Sequence, residues 1–304
     1  MKARHPSWSA RCNDGLVWTR RTAGAAAVVL LLSGCAANDP AAAPEVTTST
    51  TTPDSTTSTA ETQQPTPSPW PSPLTDTHQA WSIQILERRP HDAAAFTQGL
   101  EVVDGVVIEG TGRRGSSTVR RVGLDGVVLA SADLDPEYFG EGLTVVGELL
   151  IQLTWQAGVA LRWDLATLEP VGRTTYDGEG WGLCAADDTL WMSNGTATLT
   201  ERDPTDFSVR SEVEVRRDDV AIANLNELEC IDGYVVANVW HSDEILVIDP
   251  TTGFVAATID ASALRTEINP TDAQAVLNGI ADLGDGTLLL GGKLWPTFFV
   301  VELV

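Results

Sequence analysis

Residues 246–255 read Leu-Val-Ile-Asp-Pro-Thr-Thr-Gly-Phe-Val, two short strand-forming runs on either side of a polar turn. Three earlier segments repeat this pattern, and they begin at Val119, Leu161 and Leu199. When the turns are aligned at Gly123, Asp164, Asp203 and Asp249, the spacings between them are 41, 39 and 46 residues. Repeats of this length that contain several strands are typical of the blades of a β-propeller.

The two ends of the repeat region complement each other. The last strand-forming run, residues 298–304, has no hairpin after it, and residues 82–86 near the start form an unpartnered run of the same kind. Pairing the two would remove the exposed edges. Four complete units and one shared unit therefore predict an all-β fold, a five-bladed β-propeller closed by its N- and C-terminal strands. Only residues 261–277 favour helix, for one or two turns, because Pro270 breaks a longer one.

The N-terminal segment has the features of an export signal. Residues 1–34 contain five basic residues and an apolar run, Ala23 to Leu32, that is much shorter than the ~20 residues of a membrane span. The run leads into Leu32-Ser33-Gly34-Cys35, which resembles the lipobox of bacterial lipoproteins. That resemblance implies a lipoprotein signal peptide over 1–34, lipidation at Cys35, and an extracytoplasmic protein anchored to the bacterial cell membrane. The alternative is a simple secretory signal whose cysteine is incidental.

Two further segments follow the signal. Residues 36–78 are mostly Thr, Ser, Pro and Ala and contain neither lysine nor arginine. Such a composition buries too little apolar surface to fold, so residues 35–78 are expected to be a lipid-anchored, disordered linker. Residues 79–304 are then the folded domain, a length that suits a single all-β unit.

Charge and cysteine content limit the partners and the chemistry. The chain has 19 Lys and Arg against 42 Asp and Glu, a net charge of −23, which argues against a nucleic-acid partner. Cys184 and Cys230 are the two cysteines of the domain, and they are either a disulfide or two buried thiols. His91 and His241 lie in the domain without metal-ligand spacing. No metal or other cofactor is therefore expected, although a structural cation held by backbone carbonyls in the channel remains open.

Glycine-flanked clusters of polar and aromatic residues interrupt the strand pattern, about one cluster or pair in each repeat. They are residues 96–100, 139–144, 152–155, 179–183, 225–229, 238–240, 276–281 and 292–296. A single Gly-X-Gly is ordinarily a turn. Together the clusters carry more weight, because equivalent positions of propeller blades meet at one end of the axis.

With these motifs in this order, the run from Phe96 to Pro296 resembles the plant and bacterial type of glutaminyl-peptide cyclotransferase, also called glutamine cyclotransferase. The resemblance implies a five-bladed propeller that is not zinc-dependent. It also implies conversion of an N-terminal glutaminyl residue to pyroglutamate with release of ammonia. The expected partners are peptides or proteins with N-terminal Gln, with the membrane reached only through the lipid anchor, and a monomer is expected.

Two residues are expected to be catalytic. Glu141 matches the family's proposed catalytic glutamate, which would take a proton from the amine and return it to the departing nitrogen. Outside this context, a glutamate between two glycines is more often a surface turn residue. Lys293 is the only lysine after residue 34 and lies in the family's Gly-Lys-X-Trp-Pro motif. We expect it to pair with a pocket carboxylate or to support the developing oxyanion.

The remaining expected site residues bind the substrate. Trp155, Trp181 and Trp240 match the tryptophans that line the family's pocket, and their alternative is the core of a blade. Phe96 and Phe139 also match, as wall or as packing, whereas Gln98 and Asn226 match polar residues of the site. Trp295 is wall or core, and Glu227 and Glu229 are left without a role. The alternative function is a non-enzymatic envelope propeller that binds peptide N-termini or a protein partner.

Overall fold

Strands form almost all the regular structure in residues 77–304, the part of the chain that the computed structural model describes. The predicted signal peptide, Cys35 and all but the end of the predicted linker lie outside these residues. The predicted all-β class is confirmed. Among the described residues, no helix has the length and apolar character to cross a bilayer.

Three four-stranded antiparallel sheets follow one another along the chain, each in simple sequence order. The first contains β2 (Thr97–Val103), β3 (Val106–Thr111), β4 (Thr118–Gly123) and β5 (Val128–Asp133). The second contains β6 (Gly140–Val146), β7 (Leu149–Thr154), β8 (Val159–Asp164) and β9 (Pro170–Thr175). The third contains β10 (Leu183–Ala186), β11 (Thr189–Met192), β12 (Thr198–Arg202) and β13 (Val209–Glu214). A small ribbon of β14 (Arg216–Arg217) and β15 (Val220–Ala221) follows.

The rest of the chain forms an eight-stranded sheet together with the first strand, β1 (Gln79–Pro90). One part contains β16 (Leu225–Ile231), β17 (Tyr234–Val239), β18 (Glu244–Ile248) and β19 (Val255–Asp260). The other contains β20 (Leu277–Asp282), β21 (Leu288–Gly292) and β22 (Thr297–Leu303). A short helix, α1 (Ser262–Ile268), lies between the two parts, within the region where the sequence favours helix.

The N- and C-terminal strands pair with each other. β1 runs antiparallel to β22 from Ile83–Leu303 to Pro90–Thr297, and its first residues also run parallel to β19. The pairing expected between residues 82–86 and 298–304 is therefore present. The division of these sheets into five blades stays a prediction.

Three of the four repeated turns contain an aspartate with the same hydrogen bonds. At Asp164, Asp203 and Asp249 the carboxylate accepts a backbone N–H from a threonine two or three residues later. The carbonyl of each aspartate also accepts the N–H of the residue four positions on. Asp is favoured here because its short side chain hydrogen-bonds its own turn. The sequence repeat thus marks the hairpins β8–β9, β12–β13 and β18–β19.

The first strands of the sheets pack against one another in a closed series. β2 contacts β6, β6 contacts β10, β10 contacts β16, β16 contacts β20, and β20 contacts β2. The approach is so close that a Cβ on Gly142 would lie 2.7 Å from the Trp181 carbonyl oxygen, and one on Gly182 would lie 2.0 Å from the Asn226 carbonyl oxygen. These motif glycines are needed because the neighbouring backbones leave no room for a side chain.

In β16, Glu227 occupies the position that is equivalent to Gly142 and Gly182, and its carboxylate joins neighbouring strands. Glu227 in β16 accepts the N–H of Leu100 at 3.2 Å and of Ile280 at 2.9 Å, so it connects three first strands. Burial raises the pKa of Glu227 well above the usual range for glutamate. Glu101 in the same region accepts the N–H of Val145, and burial raises its pKa to about 7. Neither carboxylate was given a role by the sequence.

The apolar core is divided into wedges between adjacent sheets. One cluster joins the first and second sheets, the next joins the second and third, and another joins the third sheet to β16–β19. The largest lies between β16–β19 and β20–β22, and the last returns from β20–β22 to the first sheet. Trp295 is fully buried in the largest cluster, so of its two expected roles the structure gives it that of core.

Cys184 and Cys230 form a disulfide, which decides between the alternatives left open by the sequence. Cys184 is in β10 and Cys230 is in β16, two adjacent first strands, and their Cα atoms are 5.4 Å apart. The bond closes a chain segment with a sequence separation of 46 residues. It therefore restricts the unfolded chain while cross-linking two neighbouring sheets.

Reduction of this disulfide is expected to lower the free energy of unfolding by about 2–4 kcal/mol, because the unfolded chain regains the entropy of the open loop. Chemical denaturation of the oxidised and reduced protein measures the difference. A Cys184→Ala/Cys230→Ala variant is the control, and its stability should not respond to reductant. Equal midpoints for the oxidised and reduced wild-type protein would contradict this expectation.

Candidate active site

A cavity of about 690 Å³ opens where the first strands begin and the second strands end. Nine of the residues expected at the site line it. They are Phe96, Gln98, Phe139, Glu141, Trp155, Trp181, Asn226, Trp240 and Lys293. Cys35, the expected lipidation site, lies outside the described residues. The sequence motifs thus converge in one place, although their placement does not by itself assign their roles.

The strand topology explains this convergence. In an antiparallel hairpin, the start of the first strand and the end of the second lie at the same end. Gln98, Glu141 and Asn226 occupy the start of β2, β6 and β16, whereas Trp155 and Lys293 directly follow β7 and β21. The register of β2, β6 and β16 also shifts at these same residues. Such bulges redirect a side chain, and here they occur at the polar residues that line the cavity.

Glu141 is buried, yet its carboxylate has no hydrogen bond or ion pair with any residue of 77–304. It lines the cavity, so its oxygens face open space rather than a protein donor. Burial raises the pKa of Glu141 well above its usual range, the positive charge of Lys293 lowers it, and the negative charge of Glu179 raises it further. A carboxyl group in this setting favours its protonated form and is a strong base once ionised.

Lys293 is equally buried and forms no salt bridge within the described part of the chain, although its charge and that of Glu141 act on each other. Both of its expected roles stay predictions. Desolvation lowers the pKa of its ammonium group to about 8, against the opposing attraction of Glu141. Its Nζ lies 5.2 Å from the centre of the Phe96 ring, within range of a cation–π contact. Its backbone is fixed because Lys293 N–H donates to Val276 and the next N–H donates to Ala95.

Gln98 and Asn226 supply neutral polar groups. Both side chains are buried and line the cavity. The Oε1 atom of Gln98 is 3.4 Å from the Asn278 amide, a long contact, and the Asn226 side chain has no partner among the described residues. Each therefore retains amide donor or acceptor capacity for a molecule in the cavity.

Aromatic rings form the walls in two groups. Phe139 packs edge-on against Phe96, with ring centres 6.2 Å apart, and against Trp155 at 5.6 Å. Trp181 packs perpendicular to Trp240 at 5.6 Å. Trp240 is 40% exposed, so it lies at the mouth rather than in the core. The three tryptophans thus line the cavity instead of filling a blade.

Glu179 joins the two aromatic groups, a role the sequence did not reveal. Its Oε2 accepts the indole N–H of Trp155 at 2.7 Å and that of Trp181 at 3.0 Å, while Oε1 accepts from Gln156 at 3.0 Å. The hydrogen bonds from Gln156, Trp181 and Trp155 lower the pKa of this carboxyl. The environments therefore move the pKa values of Glu179 and Glu141 in opposite directions.

Four other lining residues were not among the expected site residues, namely Arg113, Arg114, His241 and Gln274. A signal existed for the two arginines, because they follow the second strand of the first sheet closely, as Trp155, Trp240 and Lys293 follow β7, β17 and β21. Glu227 lies next to Asn226 but points to backbone N–H groups instead of lining the cavity. Within residues 77–304, no cluster of three or more His, Cys, Asp or Glu has the arrangement of a metal site.

Comparison with known proteins gives consistent similarities. The sequence profile of the family described as Glutamine cyclotransferase matches residues 52–303. The glutaminyl-peptide cyclotransferase of Arabidopsis thaliana is 38% identical over 238 residues, covering 76% of this chain and 74% of the plant protein. The crystal structure of Myxococcus xanthus glutaminyl cyclase is also 38% identical and superimposes with a TM-score of 0.71, covering 75% of this chain and 98% of that chain.

Replacing Glu179 by alanine is expected to release both indoles. The Nε1–H resonances of Trp155 and Trp181 should move upfield because they lose a charged acceptor, and the protein should lose about 1 kcal/mol of stability. Proton–nitrogen correlation spectra measure the shifts. Asp177→Ala is the matched control, since it removes a carboxylate of the same loop, whereas both indole N–H groups donate to Glu179. Unchanged indole resonances in Glu179→Ala would show that the two hydrogen bonds are absent in solution.

Proposed function

The chain belongs to the glutamine cyclotransferase family, and we propose that it converts N-terminal glutaminyl residues to pyroglutamate with release of ammonia, using Glu141 as the proton shuttle. The observation that carries this proposal is the buried Glu141 carboxylate, which has no hydrogen-bond partner among the described residues and faces an aromatic cavity. A carboxyl group held unpaired in such a place is available to a reacting substrate.

The reaction forms one bond and breaks another. It also moves one proton from the attacking nitrogen to the shuttle and one from the shuttle to the departing nitrogen. The α-amino nitrogen of the substrate attacks its own side-chain amide carbon, which forms the five-membered lactam. The bond between that carbon and the amide nitrogen then breaks, and ammonia leaves. The attacking nitrogen loses a proton and the departing nitrogen gains one, so a single carboxylate between them balances the step.

Glu141 is suited to both transfers. Because desolvation raises its pKa, the ionised carboxylate takes a proton from the amine more readily than an exposed glutamate does. The carboxyl group then returns that proton to the departing amide nitrogen. Glu179 is suited to remain ionised and to support the walls, since its pKa is lowered by the hydrogen bonds that it accepts.

Lys293 is suited to stabilise negative charge. The attacked amide carbon develops an oxyanion, and a buried ammonium group stabilises negative charge more strongly than an exposed one. No carboxylate of residues 77–304 is paired with Lys293, so its N–H donors remain available for that oxygen. Because Lys293 also lowers the pKa of Glu141, it favours the ionised form of the shuttle.

The walls hold the substrate folded. A glutamine side chain must bend until its two ends meet, and an aromatic enclosure favours that compact form over an extended one. Phe96, Phe139, Trp155, Trp181 and Trp240 supply the enclosure. Gln98 and Asn226 supply amide groups for the substrate amide or its first peptide bond.

The same proposal includes the architecture and the setting. The three four-stranded sheets, the two halves of the eight-stranded sheet and the closed series of first strands support a five-bladed propeller. The lipobox-like segment before Cys35 supports a lipoprotein outside the cytoplasmic membrane. The expected partners are peptides or proteins with N-terminal Gln, acted on by a monomer without zinc.

Removal of either charged group is expected to impair turnover. Glu141→Gln should abolish ammonia release from a Gln-initiated dipeptide, because it removes the shuttle. Lys293→Met should lower kcat by roughly 10²–10³, the effect of losing one oxyanion donor. It should also move the rising limb of the kcat/KM profile to higher pH, because the lysine charge no longer lowers the pKa of Glu141. Ammonia release at several pH values, with a chelator present, measures these effects.

Glu169→Gln is the control, since it neutralises an exposed glutamate far from the cavity. Full activity in Glu141→Gln would refute the shuttle. Loss of wild-type activity on chelation would refute the metal-free reaction. Wild-type protein that binds Gln-initiated peptides but releases no ammonia would instead establish the non-enzymatic binding propeller.

A further inference from the structure

Arg113 is the exception among the arginines of the described residues. The other twelve each donate a side-chain hydrogen bond to a carboxylate, carbonyl, hydroxyl or thioether, whereas the Arg113 guanidinium has no such partner. This occurs in a chain whose 42 acidic residues outnumber its 19 Lys and Arg. An unused guanidinium is therefore not explained by a shortage of acceptors.

The side chain is directed towards the cavity. Its Cζ lies 4.7 Å from the centre of the Phe96 ring, and Lys293 Nζ lies 5.2 Å from the same centre. Arg113 is exposed and lines the cavity, so one face of the guanidinium rests on the wall and its donors remain open. Stacking on an aromatic ring leaves the planar N–H fork free for a carboxylate.

The backbone holds Arg113 in an unusual conformation. Its φ is +97°, a region that side-chain-bearing residues rarely adopt. The carbonyl of Arg113 accepts the N–H of Ser116 and the hydroxyl of Ser117, and the same hydroxyl oxygen accepts the N–H of Gly140. Arg113 is thus fixed to the residue that precedes Glu141. A strained residue held in this way is a candidate for a role at the site.

From these observations we propose that Arg113 is a specificity-determining residue that binds a carboxylate of the substrate just beyond its N-terminal glutamine. The inference rests on the proposed function and names its preferred substrate class. When the glutamine occupies the cavity beside Glu141, the rest of the peptide leaves through the mouth, where Arg113 lies. A guanidinium binds a carboxylate through two parallel hydrogen bonds. That carboxylate is either the free C-terminus of a dipeptide or an Asp or Glu side chain.

Arg114 provides a matched comparison. It is the next residue, is also exposed, and lines the same cavity. Its Nη1 donates to the carbonyl oxygen of Glu137 at 2.9 Å, so its guanidinium is already held at the rim. Loss of Arg114 removes the same charge from the mouth without removing the open N–H fork.

The test compares four substrates of the purified full-length protein, Gln-Ala, Gln-Ala-amide, Gln-Glu-Ala-amide and Gln-Gln-Ala-amide. The measured quantity is the ratio of kcat/KM for a carboxylate-bearing peptide to that for its neutral counterpart. In the wild type this ratio should be about 3 to 5, which corresponds to the free energy of an exposed ion pair. It should fall as the salt concentration is raised. The first pair reports a C-terminal carboxylate, and the second pair reports a side-chain carboxylate.

Arg113→Gln should bring the ratio to about one for whichever pair shows the preference, whereas Arg114→Gln should lower it only in part. The guanidinium of Arg121 donates to the Ala166 carbonyl away from the cavity, so Arg121→Gln should retain the wild-type ratio. If the wild type turns over all four peptides without a preference, the role of Arg113 is overturned and the proposed function stands. An equal loss for charged and neutral peptides in Arg113→Gln would also overturn it. No ammonia from any peptide would overturn the proposed function and this inference with it.

Discussion

The close packing of the first strands around one axis is the constraint on which the site depends. Neighbouring backbones approach so closely that Gly142 and Gly182 have no room for a Cβ. Where Glu227 replaces glycine, its carboxylate accepts N–H groups from two neighbouring strands. The same stretch carries the bulges that place Gln98, Glu141 and Asn226 at one end. Packing at the axis and assembly of the cavity are therefore consequences of the same residues.

Glu141 and Glu179 have opposite electrostatic surroundings. Glu179 accepts three hydrogen bonds from indole and amide N–H groups, so its negative charge is stabilised. Glu141 accepts none from the described residues and is desolvated, so its proton is retained more strongly. Lys293 opposes that effect without pairing with Glu141. The Glu179 carboxylate thus supports the aromatic walls, while the Glu141 carboxyl is left without a donor among the described residues.

Repeat spacing in the sequence was sufficient for the all-β class. The nine cavity residues followed from the resemblance to a known family, which the glycine-flanked motifs carry. Glu179 could not be recognised, since its role arises from indoles that meet only in the folded sheets. Arg113 was not singled out, although it closely follows β3, because its lack of a side-chain hydrogen bond is visible only in the folded protein. The disulfide remained undecided until β10 and β16 proved to be neighbours.

The most direct test is the pH titration of the Glu141 carboxyl carbon by nuclear magnetic resonance, assigned by comparison with Glu141→Gln. We expect a resonance whose midpoint lies well above the usual range for glutamate and which is absent from the variant. A midpoint near the ordinary value of about 4.3 would contradict it. Glu141 would then be an ordinary ionised carboxylate, and desolvation would not explain proton transfer at this site.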